Sequence, residues 1–102
     1  MITYPARRIE VLADTPLLRR ICAAADAAGV TNYTLLETAG GRGAHGPWRR
    51  EDVTGATDKT IFVTIASHEK ADALVSALAP LLESYDLLLT ITDTAVVRRE
   101  IL

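Results

Sequence analysis

Cysteine is nearly missing from this chain. Cys22 stands alone, so no disulfide can form within it, and a lone thiol in an alanine-rich run fits a reducing cytoplasm. Histidine is almost as scarce: His45 and His68 are the only two. Neither has a Cys, Asp or Glu at metal-ligand spacing, which argues against zinc or another metal. Aromatic residues make up 5% of the sequence, leaving Leu, Ile, Val and Ala to build the core. Long apolar runs are also absent. None approaches the roughly 20 residues needed to cross a bilayer, and Met1 to Glu10 lack the apolar stretch of a signal peptide. The expectation is a soluble cytoplasmic protein that is not membrane-embedded.

Nor is there an excess of positive charge. The formal net charge is −2, whereas a general nucleic-acid binder carries a basic face. The basic residues are clustered all the same, as Arg7/Arg8, Arg19/Arg20, Arg42/Arg49/Arg50 and Arg98/Arg99. Paired arginines can form local anion sites in an otherwise neutral protein, although Arg19/Arg20 read better as a solvated helix face.

What is present is a chain of 102 residues, 49% hydrophobic, enough for one domain with one core. Arg7 to Ala13 read as a strand with Ile9 and Val11 on one face. Asp14 is positioned as an N-cap and Pro16 as a first-turn residue. Leu17, Leu18, Ile21, Cys22, Ala25 and Ala28 then follow at helical spacing, and Gly29 is the expected stop. Thr31 to Thr38 predict a second strand and Thr60 to Ala66 a third. Ser67 caps a second helix with Ala71, Leu74, Val75 and Leu78 inward, which Pro80 should end or kink. Asp86 to Asp93 form a fourth strand, and the tail from Val96 to Leu102 has room for a short fifth.

The order β-α-β-β-α-β predicts an α+β, ferredoxin-like domain over residues 1–102: a four-stranded antiparallel sheet with both helices on one face. Ile61, Val63 and Ile65 alternate with Thr60, Phe62, Thr64 and Ala66 in the third strand, and the fourth is apolar on both sides too. Helices can cover only one of those faces. The other is expected to meet partner subunits in a cyclic homo-oligomer.

Between the second and third strands lies a segment of about twenty residues, Ala39 to Asp58, where hairpin loops ordinarily take about two to five. Gly40, Gly41, Gly43 and Gly46 permit positive φ, so that successive N–H groups can turn toward one anion beside Arg42. The segment is not a P-loop, because it lacks the lysine and no helix follows it. It is not a dinucleotide-binding turn, because it joins two strands. Trp48 has two readings, as a residue packing the loop onto its own domain or as a contact for a ligand or target. Ser67 and Lys70 match an S-x-x-K spacing, but a helix cap explains Ser67 better. Acylphosphatases use a Gly/Arg loop in this fold, yet theirs follows the first strand. No catalytic constellation is visible.

At Ala28-Gly29, Tyr33-Thr34 and Gly40-Gly41-Arg42-Gly43 the sequence resembles the PII-like signal-transduction proteins, in particular their carboxysome-associated and bicarbonate-related branch. Asn32 stands where that pattern has glycine, and the family's tyrosine uridylylation segment is not recognisable. The resemblance implies a non-enzymatic homotrimer that binds adenine nucleotides (AMP, ADP, ATP or cyclic AMP) in clefts between subunits. Bicarbonate is an implied second ligand. A T-loop, residues 41–58, would report inorganic-carbon or energy status to a membrane transporter or carbon-fixation protein, and the tail spans residues 94–102.

Carried over, Thr38, Gly40, Gly41, Arg42 and Gly43 form the phosphate-facing loop base. Tyr85, Asp86, Leu87 and Leu88 line the adenine side, and Arg98 or Arg99 closes on the phosphates. Bicarbonate falls to Gly41, Arg42, Gly43, Arg49 and Arg50. Two alternatives stand beside this one: another ferredoxin-like trimeric small-molecule module, and a small phosphate-ester hydrolase.

Overall fold

The first strand, β1, runs from Tyr4 to Asp14, longer at both ends than its alternation predicts. Ile9, Val11 and Ala13 are fully buried on one face, while Arg8, Glu10 and Leu12 on the other are half-buried. The computed structural model describes residues 1–50 and 58–102. Residues 51–57 of the expected loop lie outside the described residues.

A 3-10 turn, Thr15–Leu17, leads from β1 into helix α1, Leu18–Ala27. Asp14 does not cap this helix, contrary to its position in the sequence. The 3-10 turn moves the helix start beyond its reach, and its carboxylate accepts instead from Lys59 Nζ at 2.8 Å. The stop is as expected. Gly29 takes φ +80, its N–H donates to the Asp26 carbonyl, and the next N–H, of buried Val30, donates to that of Ala25. This crossed pair satisfies the last carbonyls of the helix.

Strand β2, Thr34–Glu37, is shorter than predicted. Before it, Thr64 Oγ1 donates to the Asn32 carbonyl, so a side chain holds the chain there in place of ladder bonds. The segment read as an open loop contains two further strands, β3 (Gly40–Gly43) and β4 (Gly46–Arg49), paired as a separate antiparallel hairpin. Strand β5, Lys59–Ala66, buries Thr60, Phe62, Thr64 and Ala66 in strict alternation.

Ser67 caps α2, His68–Ser84, its hydroxyl accepting from the Lys70 N–H at 3.2 Å. Ala71, Leu74, Leu78 and Leu81 are buried, whereas Val75 is only half-buried. Pro80 does not end the helix. It lies on the exposed side, four residues after exposed Ser76, where water can satisfy the carbonyl left without a donor. Strand β6, Leu88–Val96, reaches further than predicted, and the tail then closes in a 3-10 turn, Arg99–Ile101, with no fifth strand in the sheet.

The main sheet has the order β2-β5-β1-β6 with every neighbour antiparallel. This is the ferredoxin-like α+β arrangement predicted from the sequence. Both helices pack on one face, around Ile9, Val11, Ile21, Phe62, Leu74 and Leu78. Across the opposite face the register aligns Leu36 with Ile61, Ile61 with Leu12, and Leu12 with Leu88. One apolar row therefore crosses all four strands. Leu36 and Leu88 at its ends are 46% and 60% exposed.

Candidate functional site

The β3–β4 hairpin is built around Trp48. The indole lies across Gly41 so closely that a Cβ there would stand 2.4 Å from a ring carbon. Trp48 Nε1 donates to Thr38 Oγ1 at 3.1 Å, and that hydroxyl donates to the Lys59 carbonyl at 2.6 Å. The Lys59 ammonium stands 5.3 Å from the ring centroid, a cation–π distance. Arg50 pairs with Glu37 at the hairpin base. These contacts are the packing reading of Trp48: the residue pins the hairpin to its own domain.

The glycines act differently from the expected anion nest. Gly40 and Gly46 take positive φ, at +151 and +101, whereas Gly41 and Gly43 do not. All but Gly46 belong to the extended β3, where successive N–H groups point in alternate directions. Convergent N–H groups are therefore absent from residues 40–43. Gly41 is needed for the room it leaves to Trp48.

Beside the hairpin lies a cavity of about 370 Å³. Arg42, Gly43, His45 and Trp48 form its hairpin wall, Asp86, Leu87 and Leu88 the facing wall, and Leu12 and Lys59 its floor on β1 and β5. His45 Nε2 donates to the Asp86 carboxylate across the mouth. Leu12, Leu87, Leu88 and the indole give an apolar surface. Arg42 gives positive charge, and Lys59 adds a charge that it shares with the Asp14 carboxylate. Such a surface suits a flat apolar group that carries an anion.

Of the residues singled out from the sequence, the structure gathers Arg42, Gly43, Asp86, Leu87 and Leu88 in this cavity. Thr38 sits under Trp48, lining a small cavity of about 50 Å³ with Glu37 and Arg50. Gly40, Gly41 and Arg49 line a shallow depression along the hairpin that Arg42 does not join. Tyr85 is engaged by α1: Arg20 donates to its hydroxyl at 3.1 Å and lies 5.5 Å from its ring centroid.

Arg98 and Arg99 follow β6 at the far end of the sheet, where the Arg99 guanidinium lies 5.9 Å from the Tyr4 ring centroid. On the open face toward that end is a second depression, of about 480 Å³, lined by Arg8, Thr31, Asn32, Thr34 and Ile101 among others. Leu12, His45 and Lys59 were not singled out for the site. Only the pairing of β1 with β5 and of His45 with Asp86 brings them there, and sequence spacing carries no signal of either. Among the described residues no group of three metal-ligating side chains occurs, and no helix is long and apolar enough to cross a membrane.

A family model described as nitrogen regulatory protein P-II matches residues 6–101. Comparison with curated protein sequences found no match. Among solved structures, the chain is similar to CPII, a nitrogen regulatory PII-like protein of Thiomonas intermedia K12, bound to ADP, AMP and bicarbonate. The TM-score is 0.81 at 24% identity, over 95% of this chain and 92% of that one. CPII bound to ADP and bicarbonate matches with a TM-score of 0.82 at 22% identity, over 95% and 93% of the two chains. A PII-like signaling protein of Thermus thermophilus matches at 0.80 and 22% identity, over 98% and 97%. At these identities the solved structures establish the shared fold, and the family model, which spans nearly the whole sequence, establishes the family. The chain belongs to the P-II family of nitrogen regulatory proteins.

Proposed function

We propose that this protein is a non-enzymatic, cytoplasmic regulator that binds an adenine nucleotide in the cavity beside the β3–β4 hairpin. The observation that carries the reading is the cavity itself. It joins an apolar wall, Leu12, Leu87, Leu88 and Trp48, to the cations Arg42 and Lys59, the pairing a base with attached phosphates needs. The similar CPII structures contain ADP, AMP and bicarbonate, which supports the choice of ligand. Arg42 takes the phosphates, with Gly43 beside it and the backbone of Asp86, Leu87 and Leu88 along the base. Bicarbonate is the second ligand, held near Arg42, Arg49 and Arg50, in keeping with the carboxysome-associated, bicarbonate-related branch.

The assembly is a homotrimer. Its support is the apolar row on the open sheet face, together with the placement of Arg98 and Arg99. At the far end of their own chain, these arginines reach a phosphate in the cavity only from a neighbouring subunit. The loop over residues 41–58 then reports inorganic-carbon or energy status to a partner, a membrane transporter or a carbon-fixation protein. Calorimetric titration with AMP, ADP, ATP and cyclic AMP, each with and without bicarbonate, is the test. Saturable binding without turnover is expected. No heat with any of the four removes the reading, and nucleotide hydrolysis replaces it with the hydrolase.

A further inference from the structure

We propose that His45 is a positioning residue for the nucleotide: bonded to Asp86, it holds the hairpin tip against the turn ahead of β6 and closes the cavity without touching the ligand. The inference rests on the reading of the cavity as a nucleotide site. The base of the hairpin is fixed by Trp48 on Gly41, by the bond from Trp48 to Thr38 and by the Arg50–Glu37 pair. None of these reaches the tip. There β3 ends at Gly43 and β4 begins at Gly46, whose φ of +101 turns the chain back.

Among the described residues, one side-chain hydrogen bond joins the tip to the opposite wall, from His45 Nε2 to Asp86 Oδ2. An ionised carboxylate can only accept, so Nε2 carries the hydrogen. The two side chains are 81% and 69% exposed. An exposed pair of this kind holds weakly and opens readily. A ligand between the two walls binds the closed arrangement better than the open one and shifts the hairpin toward it. Arg42 and Lys59 meet the anion, while His45 sets how often the walls stand together.

The test uses ADP as probe in calorimetry on His45→Ala, Asp86→Ala and the double variant. Each single change should weaken binding by the same factor, about two- to fivefold, and the double variant no more than either, because both remove one contact. His45→Gln, whose amide donates to the same carboxylate, should restore most of the affinity. Hydrogen exchange over residues 42–46 of the ligand-free protein should rise equally in both single alanine variants, a readout that needs no nucleotide.

Losses that multiply in the double variant would overturn the proposal, since one of the two residues then touches the ligand itself. A loss confined to His45→Ala would overturn it as well, by making the histidine a direct phosphate contact. Unchanged exchange in the ligand-free variants would show that no clasp exists. Should the parent bind no ADP, the nucleotide reading fails, and the exchange measurement alone decides whether the clasp is real.

Discussion

Trp48 occupies the space that a side chain at Gly41 would need, its nearest ring carbon 2.4 Å from where a Cβ would stand. Gly41→Ala therefore forces the indole off the hairpin and breaks its bond to Thr38. Relieving such an overpacked contact in place costs about 1–3 kcal/mol, more than the hairpin's few contacts withstand. The expected outcome is a red-shifted tryptophan emission with little change in the thermal midpoint of the domain. An unshifted spectrum would show that the ring is not pinned there.

Arg42 is the cation on the hairpin wall of the cavity. A hydrogen bond to a charged group contributes on the order of 1.5–3 kcal/mol, so Arg42→Ala should weaken nucleotide binding by roughly ten- to a hundredfold without unfolding the protein. Arg19→Ala, on the exposed side of α1, is the matched control and should alter neither property. Equal affinity in the Arg42 variant and the parent would assign that arginine to partner recognition.

The apolar row Leu36, Ile61, Leu12 and Leu88 predicts that a carboxylate at its centre prevents assembly. Ile61 is half-buried on this face and away from the helices. Light scattering should give three times the 11.0 kDa chain mass for the parent and a single chain mass for Ile61→Glu, with circular dichroism unchanged. A parent that stays monomeric at micromolar concentration would remove the intersubunit cleft.

Tyr33, which packs on Phe62 at 5.0 Å between ring centroids, has its phenol pushed above the ordinary value of 10.0. The largest cause is a side-chain hydrogen bond with Cys22, followed by the Cys22 charge, burial and Asp26. The folded state thus holds this proton more tightly than the unfolded chain does. Its contribution to stability is complete below pH 10.0 and is lost as pH rises through the folded value. Ultraviolet titration should show phenolate appearing late, and Cys22→Ala should bring it earlier. An identical titration in the variant would exclude the thiol as the cause.

The order of elements was legible because β5 alternates, and because Ile21, Ala25, Leu74, Leu78 and Leu81 recur at helical spacing. The Gly29 stop and the Ser67 cap were local signals and stand as read. The β3–β4 hairpin was not legible. Glycines carry no strand preference of their own, and what organises Gly40 to Gly43 is a tryptophan from the facing strand. Asp14 misled for a similar reason, since its partner Lys59 lies across the β1–β5 pair. In the cavity, Arg42 and Asp86 to Leu88 were named from the sequence. His45 and Lys59 were not, because their places depend on contacts between segments far apart along the chain.

Arg42 and Arg98 sit toward opposite ends of one molecule. Leu88 beside the cavity and Val96 near Arg98 are separated by about 26 Å of extended strand, at roughly 3.3 Å per residue. If arginines from both ends grip one ligand, occupancy becomes a matter of mass action between chains as well as between chain and ligand. Diluting the protein at constant nucleotide would then empty the cavity, and adding nucleotide would draw separated chains together. The concentration of the protein itself would be one of the quantities it senses.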